Sequence, residues 1–231
     1  MDLRKLRQAK HHEYYRDLHK GETVVVVCNG PSVADVPVQW LNAHITIGMN
    51  SFYRIHSELA VDYWCLEGMG HLRDPEERNE RMKYMDRAGL VLVNRRAVHH
   101  FEHFKNVRSI DYMDDRGKKK YDFSFEPLVQ HGSANSVTYF ALQLAYYLGG
   151  NPTLIIGLDH RWVDGRWHGF TEEQPGHVGP SGPMKHYQEV AGLSYGLCAE
   201  VFAENGRTLL NLTPDTALDT VPTGELEEWL D

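Results

Sequence analysis

The chain is poor in cysteine, has no excess of basic residues and lacks any apolar run of membrane length. Each lack removes a class of function. Cys28, Cys65 and Cys198 are the three cysteines in 231 residues; they stand far apart and none belongs to a CxxC pair. Neither a zinc knuckle nor a disulfide framework is indicated, so a reducing, cytoplasmic compartment is the simplest expectation. The formal net charge is −8 with histidine neutral, which argues against a nucleic-acid partner, since such proteins carry a basic patch. An anionic ligand remains compatible, because backbone N–H groups at a helix start hold phosphate without Lys or Arg. The longest apolar runs, around Val24–Val27 and Leu154–Leu158, are strand-sized, so no membrane span is expected. The opening residues, MDLRKLRQAKHHEYYRDLHKGE, contain no apolar signal core. Neither phosphate-loop signature, GxxxxGKS/T or GxGxxG, is present.

What is there alternates between strand and helix. Residues 3–20 read as an N-terminal helix ending near Gly21; it either packs on the rest of the domain or docks a partner. Thr23–Val27 is a β-branched run of the kind found in strands covered on both faces. Further strands are expected at His44–Gly48, Tyr63–Leu66, Leu90–Val93, Thr153–Leu158 and Arg207–Leu210. Between them, helices are expected around Trp40, over Pro75–Arg87, at His99–Phe104, over Val137–Leu148 and over 184–204. Residues 161–183, with several Gly, Pro and Trp, read as a long lid loop. Gly117–Lys120 within 111–127 reads as a solvated loop or an anion-binding patch. The alternation predicts α/β: a single Rossmann-like domain spanning 1–231, with a mostly parallel sheet and helices on both faces.

In such sheets ligands sit beyond the carboxyl ends of the strands. Polar residues follow four of the expected strands: Asn29-Gly30-Pro31-Ser32, Asn50-Ser51, Glu67, and Asp159-His160. In the first loop, Gly30 permits a close approach to the backbone. Pro31 fixes its own φ and Ser32 is a candidate cap for the next helix. The Asn29 amide both donates and accepts, which suits a base or a ribose. Gly132-Ser133 opens the long helix, with Ser133 or Ser136 as its N-cap, and N–H groups there suit a phosphate. Asp159 and His160 read as an acid–base element or as metal ligands. His168, His177 and His186 lie in or just after the lid. Tyr14, Tyr15 and Trp229 are candidate contacts in a homo-oligomer.

Three segments carry a resemblance. The first is Val24-Val-Val-Val-Cys-Asn-Gly-Pro-Ser-Val33 followed by Ile45-Thr-Ile-Gly-Met-Asn50-Ser-Phe-Tyr53. The second is Gly132-Ser-Ala-Asn-Ser136 with Ala145–Gly149 and Leu154-Ile-Ile-Gly-Leu-Asp159. The third is Asn211-Leu-Thr-Pro214 with Leu218-Asp219. Together they resemble the bacterial sialyltransferases of glycosyltransferase family 42 and the family related to archaeal 6-hydroxymethylpterin diphosphokinase, often found among surface-polysaccharide genes.

The first resemblance implies a transferase that takes a sugar from a nucleotide sugar, a CMP-sugar, during surface glycan assembly. Asn29, Gly30 and Asn50 would contact the nucleotide, Gly132 and Ser133 would line its pocket, and no metal would be required. The acceptor would be a glycan or a small molecule. His186, with His168 second, would be the general base. This chain differs from those enzymes in having Cys28 where a glycine is usual. The second resemblance implies instead an ATP-dependent diphosphokinase with Asp159 on Mg²⁺, since that ion prefers a carboxylate together with phosphate oxygens. A non-catalytic nucleotide-binding protein is the third reading, because one scaffold hosts many functions.

Overall fold

The computed structural model describes residues 12–67, 74–111, 122–132, 136–160, 162–163, 166–167 and 183–230. In chain order the elements are β1 (Val24–Val27), α1 (Val38–Asn42), β2 (Ile45–Met49), β3 (Tyr63–Leu66), α2 (Pro75–Met85), β4 (Leu90–Asn94) and β5 (Val107–Ile110). They continue with α3 (Val137–Leu148), β6 (Thr153–Ile156), β7 (Trp162–Val163), β8 (Arg166–Trp167), α4 (Pro183–Glu204) and β9 (Leu209–Asn211).

Seven strands form one sheet in the order β5-β4-β3-β2-β1-β6-β9, and every pair in it is parallel. Alternate residues face opposite sides of a strand, and each side here has its own core. Val24, Val26, Ile47, Met49 and Cys65 lie under α3 and α4. Val25, Val27, Trp64 and Val91 pack with Trp40, Leu41, Phe52 and Met85. Val24 to Val27 are all 0% exposed, so β1 is covered on both faces, as its uninterrupted valines require. The fold is a Rossmann-like α/β sandwich of three layers.

α3 runs through the middle of one layer. Ten of its twelve residues are buried, because the sheet lies on one side and α4 on the other. α4 meets it with Ala191, Tyr195, Cys198 and Phe202, all buried at helical spacing. Gly149, at φ 90°, ends α3 in the left-handed conformation that glycine adopts without strain.

The topology places the site. From β1 the chain winds outward through β2, β3, β4 and β5; α3 then carries it back so that β6 pairs with the other edge of β1. The winding direction reverses between β1 and β6, and ligand crevices in open α/β sheets form outside the strand ends at that reversal.

The structure departs from the sequence expectations at five places, the first being His99–Phe104, where a short 3-10 turn at Val98–His100 stands in place of the expected helix. β5 was not expected: Val107-Arg-Ser-Ile110 has two buried apolar residues flanking a polar pair, which suffices at a sheet edge with one neighbour. Of the helix expected over 3–20, residues 14–20 are turns, and residues 3–11 lie outside the described residues. The Asp17 and His19 amides donate to the Tyr147 and Leu148 carbonyls, so the end of α3 takes bonds that a helix would have kept for itself. The 161–183 stretch contains the short antiparallel β7–β8 pair; the rest of the expected lid lies outside the described residues. The last strand is shifted to Leu209–Asn211. Among the described residues no helix is long and apolar enough to cross a membrane.

Candidate functional site

The loops after β1 and β6 interlock at the reversal. Gly30 N–H donates to the Gly157 carbonyl at 2.8 Å. Ser32 Oγ donates to Asp159 Oδ2 at 2.8 Å. A Cβ at Gly30 would collide with the Asp159 carboxylate and lie 2.5 Å from Gly157 O. Gly30 itself has an ordinary extended backbone, φ −73° and ψ 153°. The glycine is therefore needed for space, and the close approach expected of a ligand is made by Asp159. Pro31 occupies the first turn of a short 3-10 helix, Pro31–Asp35, whose N-cap is Gly30. Ser32 does not cap it; its hydroxyl is spent on Asp159.

Asp159 is 9% exposed and is braced from behind. Its carbonyl accepts from Ala217 N–H at 3.1 Å, Thr216 Oγ1 donates to Leu158 O at 2.7 Å, and Leu158 N–H donates to Thr213 Oγ1 at 2.9 Å. The Asn211-Leu-Thr-Pro214 tail thus buttresses the end of β6. Asn29 stands beside this lock, half-buried, and its Oδ1 is fully buried without a hydrogen-bond donor among the described residues. A buried acceptor left unpaired costs roughly 1–3 kcal/mol, so Oδ1 is a position where a donor from a ligand would be gained at no loss.

The start of α3 points at the same place. Ser136 is its N-cap residue but makes no capping bond; its Oγ lies 2.6 Å from the Tyr195 hydroxyl of α4. Tyr195 is in edge contact with the His160 ring, centroids 6.1 Å apart. His160 has φ 49°, an uncommon backbone for a residue with a side chain. Thr138, in the first turn of α3, bonds the Cys28 thiol. Burial pushes that thiol well above its ordinary range; the Thr138 bond pulls it partly back and the Asp159 charge adds to the rise. Cys28 packs in the core at the end of β1.

No protein-family model and no curated protein sequence matches the chain. Among solved structures, the MAf glycosyltransferase from Magnetospirillum magneticum AMB-1 is similar, with 13% sequence identity and a TM-score of 0.55. The match covers 95% of this chain and 38% of that one, so this chain spans little more than a third of its neighbour's length. At that identity the likeness is one of fold.

A second group of residues lines the ends of β2 and β3. Asn50, at φ 41°, accepts from Glu67 N–H through Oδ1 at 3.0 Å, and its carbonyl accepts from Trp64 Nε1 at 3.2 Å. Asn50 thus ties β2 to β3. Glu67 faces His131, with Oε1 3.0 Å from Nε2. Gly132 is gripped by the Gln143 amide of α3: its N–H donates to Oε1 at 2.9 Å and its carbonyl accepts from Nε2 at 3.0 Å. Sequence reasoning named Glu67 but missed His131, Gln143, Tyr195 and Thr216. Their side chains reach across elements distant in sequence, and no local pattern marks them.

Asn29, Gly30, Pro31, Ser32, Asn50, Gly132 and Asp159 all lie at the carboxyl edge of the sheet. His186 lies in the first turn of α4. His168 and Ser133 lie outside the described residues. Among the described residues no group of three or more His, Cys, Asp or Glu side chains converges on a point. Asp159 keeps one carboxylate oxygen clear of Ser32, the kind of contribution a protein makes to Mg²⁺ that is otherwise held by phosphate and water. A surface groove of about 350 Å³ lies elsewhere, between residues 34–38 and 55–58. It carries Asp35 and Glu58, which repel an anion. Of the aromatics considered for a subunit contact, Tyr15 and Trp229 pack against the chain's own core, while Tyr14 is 64% exposed.

Proposed function

We propose that this chain binds a nucleotide sugar at the carboxyl edge of β1, β2 and β6 and transfers the sugar to a hydroxyl acceptor, a glycan or a small molecule, in surface glycan assembly. The observation that carries the reading is the buried, unpaired Asn29 Oδ1 at the topological reversal, where the fold concentrates ligand sites. The fold shared with a glycosyltransferase agrees with it, and so do the segments that resemble family 42 sialyltransferases.

Each residue then has a role. Asn29 and Asn50 contact the nucleoside. Gly132, Ser133 and the amides that open α3 hold the phosphate, which becomes the leaving group. His186 removes the acceptor proton. The donor is a CMP-sugar, and no metal takes part. Asp159 holds the β1 loop in shape through Ser32.

The diphosphokinase-like alternative makes a different demand on one residue: the oxygen of Asp159 that Ser32 leaves clear would hold Mg²⁺ carried by ATP. A thermal-shift panel of CMP, CDP, UDP, GDP and ATP, each with Mg²⁺ or EDTA, separates the two. A ligand that binds only the folded state raises Tm with its concentration over Kd. Stabilisation by CMP or CDP that survives EDTA is the expected outcome. Stabilisation confined to ATP with Mg²⁺ moves the assignment to the diphosphokinase-like chemistry, and no shift from any nucleotide overturns the nucleotide site.

A further inference from the structure

Glu67 and His131 form a polar pair that the roles above leave unused. Glu67 is the first residue beyond β3, fixed by its own N–H on Asn50. His131 is 0% exposed, and its ring lies against Phe140 with centroids 4.2 Å apart. Its Nδ1 is 3.0 Å from the Gly132 carbonyl, which can only accept, so Nδ1 carries a hydrogen. Its Nε2 is 3.0 Å from Glu67 Oε1, at ion-pair distance but off the line of an aligned hydrogen bond. The Glu67 side chain retains 14% exposure, and no other described side chain hydrogen-bonds to its carboxylate. A wholly buried imidazole, beside a carbonyl that Gln143 clamps, therefore stands at ion-pair distance from one carboxylate oxygen of a side chain that keeps partial exposure at the sheet edge.

We propose that Glu67, positioned by His131, accepts hydrogen bonds from the hydroxyl groups of a sugar, either the ribose of a bound nucleotide or the sugar the nucleotide carries. The inference rests on the nucleotide reading and deepens it. A carboxylate is an acceptor only, and acidic residues at strand ends take ribose hydroxyls in dinucleotide-binding folds. It also repels phosphate, which sets the polarity of the ligand. The anionic part lies toward the amides that open α3, and the hydroxyl-bearing part lies toward β3. The end of β3 is two strand spacings, about 10 Å, from the end of β1, so the ligand lies along the strand ends.

The test is isothermal titration of the full chain with CMP, 2′-deoxy-CMP and CMP-N-acetylneuraminate, on the wild type, Glu67→Gln and His131→Gln, with Tm recorded for each. If Glu67 reads the ribose, wild type prefers CMP to its deoxy analogue by roughly tenfold, the worth of a hydrogen bond to a charged group, and Glu67→Gln abolishes the preference. If it reads the carried sugar, Glu67→Gln weakens CMP-N-acetylneuraminate alone by a similar factor. His131→Gln follows the same pattern if the imidazole positions Glu67; a lowered Tm with unchanged ligand ratios overturns that role. A folded Glu67→Gln that binds all three as wild type does overturns the inference and leaves the nucleotide site standing. A wild type that binds none overturns both.

Discussion

Ser32 and Asp159 are 127 residues apart in sequence and 2.8 Å apart in the structure. Their hydrogen bond joins the loops that follow β1 and β6, and it makes the β1 loop dependent on the end of β6. Ser32→Ala removes the donor and leaves a carboxylate that is 9% exposed with one oxygen unpaired. The expected loss is about 1–3 kcal/mol of stability, read by urea unfolding. Asp159→Asn still accepts from Ser32 through its amide oxygen and should lose less. A Ser32→Ala protein as stable as wild type would mean that the bond is not formed in solution.

Two glycines make opposite predictions. Gly30→Ala forces a Cβ into the Asp159 carboxylate and to 2.5 Å from Gly157 O, and overpacking of this kind costs typically 1–3 kcal/mol. Gly192, inside α4, has a single Cβ neighbour, Leu218 Cδ1 at 3.6 Å, which is ordinary contact. Gly192→Ala should raise stability by about 0.5–1 kcal/mol, because glycine is a poor helix residue. Differential scanning calorimetry of the two variants should therefore move Tm in opposite directions.

The three thiols give a test of packing. Cys28, Cys65 and Cys198 are all buried, and burial holds each well above the ordinary thiol range. Thiolate is the reactive form, so native protein at pH 8 should not consume Ellman's reagent, and guanidinium should release all three. A native thiol that reacts promptly would show that the core under α3 and α4 opens.

How much of this was legible in the sequence depends on the range of each signal. β1, α3 and β6 were legible because Val24–Val27, Val137–Leu148 and Thr153–Ile156 each contain their own pattern of burial. The convergence of Asn29, Asn50 and Asp159 followed from parallel strands alone. β5 was missed because an edge strand needs few apolar residues. Ser32 was expected to cap a helix and instead donates to Asp159, since capping rules see four residues and this bond spans two loops. His131 carried no local mark; its partners are Glu67 at the end of β3 and Phe140 in α3.

The acid limb of stability should be governed in part by Glu77. It sits on α2 between Arg54, at 2.6 Å, and the buried Arg81, at 2.9 Å, and Arg81 also donates to Ser51 beside the end of β2. Burial alone would raise the Glu77 carboxyl, but the hydrogen bonds and charges of Arg54 and Arg81 outweigh it, and the net shift is downward. A carboxyl whose folded value is depressed contributes stability above its unfolded value, near 4.3. That contribution is lost as pH falls through the folded value. Glu77→Ala should cost about 3 kcal/mol at neutral pH, because it leaves Arg81 buried without its carboxylate. The gap between variant and wild type should narrow below pH ~4.3. Urea unfolding from pH 7 to pH 3 reads both effects, and a gap that stays constant or widens in acid would show that the pair does not hold the end of β2.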